Sequence, residues 1–103
     1  MKNPPPLVSV IIVNYNGKHY LKNCLSSLSA QSYPAIEVIF VDNGSSDGSA
    51  EYVRNEFPSV RIIESKKNLG FAKGNNLGVN EVEMRGFTGG ERALLQRLMN
   101  RIK

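Results

Sequence analysis

The sequence predicts an α/β domain with a doubly wound, mostly parallel sheet, and three observations support this prediction. Two short runs, residues 7–13 and 36–41, are apolar almost throughout and rich in β-branched side chains, as strands buried on both faces of a parallel sheet are. A helical pattern separates them. Strand-like and helix-like segments then alternate as far as about residue 65, which is typical of a parallel α/β sheet. A chain of 103 residues holds one domain at most.

The first helix is predicted from the spacing of its apolar residues. Residues 18–30 carry these side chains at intervals of three or four positions: Leu21, Cys24, Leu25 and Leu28. This spacing places them on one face of a helix. Cys24, the only cysteine, is therefore interpreted as a small core residue that can form no internal disulfide.

A second helix and a third strand complete the alternating pattern. Residues 48–57 are predicted to be helical, with Asp47 or Ser46 as the N-cap and Pro58 as the stop. The apolar residues that follow predict a short strand over residues 60–63.

Composition and charge bound the class of protein. The chain is 41% hydrophobic and 21% charged, and no apolar run approaches the ~20 residues that span a bilayer. Residues 1–6 are not followed by a signal-like segment, and together with the single cysteine this predicts a cytoplasmic protein.

The net charge of +4 is spread unevenly along the chain. Residues 1–65 carry five basic and six acidic side chains, whereas residues 66–103 carry eight basic and three acidic ones. Such asymmetry indicates either an anionic partner for the second half or a solvated basic helix face. Nucleic acid is not expected as a partner, because the basic residues are not interleaved with aromatic ones and no nucleic-acid-binding motif is present.

Polar segments follow each predicted strand. Ligands of open α/β sheets bind at the carboxyl ends of the strands, near the point where the strand order reverses. Residues 14–17, 42–44 and 68–78 are therefore the candidate site, and the last of these is rich in Asn and Gly, as a loop close to a ligand is. The sequence contains neither G-x-G-x-x-G after the first strand nor a P-loop pattern, which excludes a standard dinucleotide binder and a P-loop protein.

In order and spacing, three segments resemble the family 2 glycosyltransferases of the GT-A fold: VSVIIVNYNG, IEVIFVDNGSSDGS and NLGFAKGNNLG. The resemblance covers residues 8–79. It implies that residues 1–79 form a truncated GT-A half-domain that binds a nucleoside diphosphate sugar. The expected donor is of the UDP or dTDP type, for glycosyl transfer to an unknown acceptor.

The resemblance also implies roles for three residues after the first two strands. Asn14 and Tyr15 are expected to line the base pocket, and Asp42 is expected to contact the base or the ribose. A carboxylate at that position can accept from an imide N–H or from ribose hydroxyls. The residues themselves leave alternatives open: Asp42 can instead form a turn with the backbone of Gly44, and Tyr15 can be an ordinary packing residue.

The third segment contributes the remaining predicted site residues. By resemblance, the loop from Gly70 to Asn76 borders the nucleotide, whereas the charge of Lys73 suits contact with a phosphate. Asn76 can equally be a turn residue that tolerates a left-handed backbone conformation.

Complete members of the family continue into a helix and then a strand that ends in D-x-D, which holds a divalent metal, Mg or Mn. Here Asp47 is the last aspartate, and Glu81 and Glu83 follow no apolar strand, so no metal ligand, cofactor or catalytic residue is identifiable. The chain is accordingly expected to be incomplete as an enzyme. The alternative is a non-catalytic nucleotide-binding or protein-interaction module.

Residues 80–103 are predicted to be a tail without family resemblance that contains an amphipathic helix over residues 91–102. Its apolar face would comprise Leu94, Leu95, Leu98, Met99 and Ile102. Such a face would cover the core, pair with a second copy in a homodimer, or lie on an acidic membrane surface as a peripheral contact.

Overall fold

The computed structural model describes residues 7–84 and 92–100, with side chains over residues 7–70 and 72–82. Strands and helices alternate along it, which confirms the predicted α/β class. The elements are β1 (Leu7–Tyr15), α1 (Lys18–Ser29), β2 (Ile36–Asn43), α2 (Ser49–Glu56), β3 (Arg61–Ser65), α3 (Phe71–Met84) and β4 (Arg92–Asn100).

The four strands form one sheet in the order β3-β2-β1-β4, and all of its neighbouring strands are parallel. The strands β1, β2 and β3 proceed outward in one direction, and β4 then returns to the other side of β1. The strand order therefore reverses beside β1. In the register of β1 and β2, Val8 pairs with Ile36 and Asn14 pairs with Asp42, so the polar residues that end these strands lie side by side.

The sheet is covered on both faces, which confirms the double winding. One core cluster joins alternate residues of β1 and β2 to the helices α1 and α2: Val10, Ile12, Leu21, Leu25, Phe40 and Val53. The other joins the intervening strand residues to α3: Ile11, Val13, Ile39, Val41 and Val82. Side chains that alternate between the two faces of each strand thus fill two separate layers.

The segment predicted as an Asn/Gly-rich loop over residues 68–78 is a loop only as far as Gly70, and the helix α3 begins at Phe71. A Cβ added to Gly74 would lie 2.9 Å from Cγ1 of Val13, and one added to Gly78 would lie 2.5 Å from Cγ2 of Ile11. These two glycines are one helical turn apart and let α3 lie close to the sheet. They therefore serve helix packing rather than a flexible turn.

The predicted amphipathic helix over residues 91–102 is wrong. Residues Arg92–Asn100 form the strand β4, which pairs with β1 from Leu7↔Arg92 to Tyr15↔Asn100. This pairing satisfies backbone groups along one edge of β1, and it overrides an apolar spacing that does not specify a helix uniquely in a short segment. The predicted homodimer and membrane-bound helix lose the helix on which they rested. Residues 91, 101 and 102 lie outside the described residues.

The helices of the structure are short or carry many polar residues. Within the described part of the chain, none is long and apolar enough to cross a bilayer.

Candidate functional site

The carboxyl ends of β1 and β2 are joined by a buried pair of polar side chains. Asn14 is fully buried and Asp42 is 5% exposed. Nδ2 of Asn14 donates to Oδ1 of Asp42 at 3.0 Å and to Oγ of Ser45 at 3.2 Å. The backbone N–H of Ser45 in turn donates to Oδ2 of Asp42 at 3.2 Å. Both carboxylate oxygens are therefore fixed by the protein before any ligand is considered.

This network defines which groups remain for a ligand. An ionised carboxylate offers about four lone-pair sites, and two of those on Asp42 are used by Asn14 and Ser45. The predicted alternative of a local turn is thus partly correct, although the amide that Asp42 accepts from belongs to Ser45 rather than to Gly44. Oδ1 of Asn14 is buried and has no hydrogen-bond partner among the described residues. Its orientation follows from the network, because the reversed amide would aim a carbonyl at the carboxylate.

The turn after β1 and the turn after β2 are joined by hydrogen bonds of Asn16 with Ser45 and Ser46. Asn16 has a positive φ of 53°, a left-handed conformation that asparagine tolerates better than most residues. Its N–H donates to Oγ of Ser45 at 2.8 Å, and its Oδ1 accepts from the N–H of Ser46 at 2.8 Å. The two polar segments predicted from the sequence are therefore a single connected unit.

Asp47 caps two helices at once. Its Oδ2 accepts from the N–H of Lys18 at 3.0 Å, and its Oδ1 accepts from the N–H of Ser49 at 3.0 Å and from the Ser49 hydroxyl. These N–H groups begin α1 and α2. The N-cap residue of α2 is Gly48. Asp47, which was predicted as the N-cap, therefore caps the helix from the position before the N-cap. Partial burial raises the pKa of Asp47, but the hydrogen bonds from Ser49 and Lys18 outweigh it, and the net pKa lies below its ordinary value.

The third polar segment is tied to β2 by Asn43, which is 1% exposed. Its Oδ1 accepts from the N–H of Leu69 at 2.9 Å, and its Nδ2 donates to the carbonyl oxygen of Gly70 at 3.0 Å. Asn43 lies in the predicted segment 42–44 but was given no role of its own, and Ser45 was not predicted as a site residue. A signal was present nevertheless, because polar residues at the end of an otherwise apolar strand need partners when they are buried.

A groove of about 490 Å³ opens beside Asp42, between α2 and the end of β3. Arg54 and Glu64 form an ion pair on its wall, with 3.0 Å between Nη2 and Oε2. The groove is lined by Asp42, Gly44, Ser45, Gly48, Ser49, Ala50, Glu51, Arg54, Glu64, Ser65 and Lys66. Its wall thus contains two glycines together with acidic and basic side chains.

The other predicted site residues lie outside this groove. Tyr15 is half-buried at the end of β1, where its register partner is Asn100. Gly70 directly precedes α3 with a φ of 86°, and Lys73 and Asn76 are exposed on that helix. The structure therefore brings Asn14 and Asp42 together, but of the predicted site residues, all of which it describes, Asp42 alone lines the groove.

A divalent metal does not fit the residues that the structure describes. They contain no group of three or more His, Cys, Asp or Glu side chains close enough to hold an ion. Glu81 forms an ion pair with Arg61, with 3.0 Å between Oε2 and Nε. The strand β4, which follows α3, ends in Leu98, Met99 and Asn100, a sequence without a carboxylate.

Comparison with known proteins identifies the family. Residues 9–85 match the profile described as Glycosyl transferase family 2. The chain is similar to an uncharacterized glycosyltransferase of Haemophilus influenzae, with 36% identity over 77 residues, which are 72% of this chain and 24% of the relative. It is also similar to glycosyltransferase GlyA of Streptococcus pneumoniae, with 36% identity over 78 residues, which are 73% of this chain and 11% of that relative.

The match leaves most of the relatives' length uncovered. Glycosyltransferase AglE of Haloferax volcanii is 34% identical over 86 residues, which are 79% of this chain and 28% of the relative. The chain thus spans between 11% and 28% of the length of these three curated relatives. The profile match ends at residue 85, six residues beyond the predicted boundary at residue 79. The division of the chain into two parts stays a prediction.

A solved structure with the same fold supports the assignment. The mannosyltransferase PcManGT from Pyrobaculum calidifontis, determined in complex with GDP-Man and Mn2+, superimposes with a TM-score of 0.68 at 28% sequence identity. The match covers 75% of this chain and 24% of that one. The predicted fold, that of part of a GT-A domain, is therefore confirmed. With the profile match over three-quarters of its length, the chain belongs to glycosyl transferase family 2.

Proposed function

We propose that the groove beside Asp42 binds the nucleoside diphosphate part of a nucleotide sugar, with uracil or thymine as the base. The observation that carries the proposal is the Asp42 carboxylate, held at the end of β2 by Asn14 and Ser45 and still 5% exposed. It stands at the edge of the sheet where α/β folds bind ligands. PcManGT, which holds GDP-Man, supports a nucleotide sugar as the class of ligand.

The chemistry of Asp42 suits a donor group of the base or the ribose. Uracil and thymine present one imide N–H, which requires only one of the lone pairs that Asn14 and Ser45 leave on the carboxylate. A charge-assisted hydrogen bond of this kind contributes roughly 1.5–3 kcal/mol. Guanine presents two adjacent donors, so GDP is the informative ligand for comparison.

The dimensions of the groove, and a lysine on its wall, support the same proposal. Its volume of about 490 Å³ lies within the range of roughly 300–1,000 Å³ that is usual for small-molecule sites. Lys66 lines it, and Lys67 follows on the same exposed turn. The positive charge of Lys66 can contact a phosphate, beside the carboxylates of Asp42, Glu51 and Glu64 on the same wall.

We propose that the bound donor takes part in glycosyl transfer by a longer protein that contains this segment. The support is the family and the named glycosyltransferases among its relatives. For the 103-residue chain by itself, we propose nucleotide binding without useful turnover.

Calorimetry with UDP, dTDP and GDP tests the proposal. The wild-type chain should bind UDP or dTDP more tightly than GDP, without added metal. Asp42→Ala should weaken the binding of UDP about tenfold or more, which corresponds to ~1.4 kcal/mol. Glu56→Ala serves as the matched control, because it removes an exposed carboxylate of α2 that does not line the groove.

Two results would contradict the proposal. If wild type and Asp42→Ala bind UDP equally, Asp42 does not belong to the site. If GDP binds more tightly than UDP and dTDP, the nucleotide site remains but the assignment of the base is wrong.

A further inference from the structure

The side chain of Asn43 connects two segments of the chain that are far apart in sequence. It is the last residue of β2 and is 1% exposed, and both ends of its amide are used. Oδ1 accepts from the N–H of Leu69 at 2.9 Å, and Nδ2 donates to the carbonyl oxygen of Gly70 at 3.0 Å. A buried amide with both polar atoms paired rigidifies the groups that it contacts. The turn that precedes α3 is thereby fixed to the end of β2.

The backbone around Asn43 is closely packed against the turn that precedes α3. Gly44 follows Asn43 with a φ of 82°, and a Cβ there would lie 2.5 Å from the carbonyl carbon of Lys67 and 2.6 Å from the nitrogen of Asn68. On the other side, a Cβ on Gly74 would lie 3.1 Å from Nδ2 of Asn43. The amide is therefore enclosed between the end of β2, the turn and the first turn of α3.

The segment held in this way carries positive charge. Lys66, Lys67 and Lys73 flank the points at which Asn43 attaches, and all three are exposed. Lys66 lines the groove together with Asp42, which is the residue directly before Asn43. One amide thus sets the position of a lysine-bearing wall relative to the carboxylate.

We infer that Asn43 is a positioning residue for the nucleotide site, which holds the lysine-bearing segment in place for the diphosphate while Asp42 contacts the nucleoside. The inference rests on the proposed function. Because the lysine-bearing segment is already ordered, less conformational entropy is lost when the ligand binds. The resulting gain in affinity concerns the phosphorylated part of the ligand, which this segment contacts.

The test compares UDP with uridine on the full 103-residue chain. Asn43→Ala removes both hydrogen bonds without adding charge, and Asn43→Asp keeps the acceptor for Leu69 while opposing a carboxylate oxygen to the Gly70 carbonyl. We expect each variant to lower the ratio of UDP affinity to uridine affinity about tenfold. The salt dependence of UDP binding should fall with it. Ser9→Ala is the control, because its buried hydroxyl donates to Glu37 at 2.6 Å near the other end of the sheet.

The outcomes separate this inference from the proposed function. A wild-type chain that binds neither UDP nor uridine contradicts both. A wild-type chain that binds UDP, with Asn43 variants that keep the wild-type affinity ratio or lose affinity for both ligands in parallel, overturns the inference alone. The Ser9→Ala chain should keep the ratio whatever its stability.

A measurement on the unaltered chain decides the matter if the variants do not fold. The N–H of Leu69 should exchange with solvent as slowly as the amides of β2, because Asn43 accepts its hydrogen bond in the absence of nucleotide. Exchange as fast as that of exposed loop amides would mean that the turn is not held, and would overturn the inference.

Discussion

Nδ2 of Asn14 donates a 3.0 Å hydrogen bond to Oδ1 of Asp42, across the carboxyl ends of two parallel strands. The two residues are Cα partners in the sheet register. A slip of one residue would turn either side chain to the opposite face, so the register that buries the core also assembles this pair. Core packing and the site are thus specified by the same strand pairing.

Removal of the Asn14 amide should destabilise the chain measurably. Asn14→Ala leaves Oδ1 of Asp42 without its donor from β1, in a position that is 5% exposed. We expect the free energy of unfolding in urea to fall by about 1–3 kcal/mol. Asn23→Ala, at an exposed position of α1, should change it by less than about 0.5 kcal/mol. Equal effects of the two substitutions would contradict the role given to the pair.

Two glycines with the same backbone conformation should respond differently to alanine. Gly44 and Gly70 have φ values of 82° and 86°, so each substitution incurs a left-handed penalty of roughly 1–2 kcal/mol. A Cβ on Gly44 would also meet the backbone of Lys67 at 2.5 Å, whereas a Cβ on Gly70 meets nothing within 4 Å. Gly44→Ala should therefore be more destabilising in urea by about 1–3 kcal/mol. A Gly70→Ala chain that is equally destabilised would refute the close approach.

The contribution of Asp47 to stability should depend on pH. Its pKa is lowered on folding from an ordinary value of 3.8, so its stabilising effect is complete well above that value. The effect is lost as the pH falls through the folded-state pKa. Asp47→Asn should thus lower the urea midpoint at neutral pH and approach the wild type in acid. A constant difference between wild type and Asp47→Asn at all pH values would contradict the capping role.

The 103-residue chain should not turn over nucleotide sugars at a useful rate. No carboxylate occurs in the sequence that ends β4, and Glu81 is engaged with Arg61. An assay for nucleoside diphosphate released from UDP-, dTDP- and GDP-sugars, with manganese present, should remain at the background rate. Metal-dependent release that is abolished by Glu81→Gln and Glu83→Gln would overturn this expectation.

The first half of the fold could be predicted because each element there carries its own signal. The apolar runs of β1 and β2 and the spacing of Leu21 and Leu25 specify strands and a helix locally, and the structure agrees to within about two residues. Long-range information was needed elsewhere. Gly74 and Gly78 indicate a loop by composition, and only the nearness of Val13 and Ile11 shows that these glycines let the helix α3 pack against the sheet.

The C-terminal segment shows the limit most clearly. The spacing of Leu94, Leu95 and Leu98 is compatible with a helix, yet the available partner was the edge of β1, which periodicity does not reveal. Asp42 and Asn14 were predicted as site residues because each follows an apolar strand and because of the resemblance to the family, and the structure shows that they are hydrogen-bonded to each other. Asn43 lay in the predicted segment 42–44, but its contacts could not be predicted because its partners, at residues 69 and 70, are backbone groups that are brought near only by the fold.

The central claim, a nucleotide site at the carboxyl ends of β1 and β2, is tested most directly by an amide chemical-shift titration of the chain with UDP. Saturable changes should be largest at the amides of Asn16, Gly44 and Ser45, and Asp42→Ala should raise the UDP concentration that gives half of the full change about tenfold. Absence of saturable changes, or changes centred on the cavity near Leu28 and Val60 at the other end of the sheet, would contradict the claim.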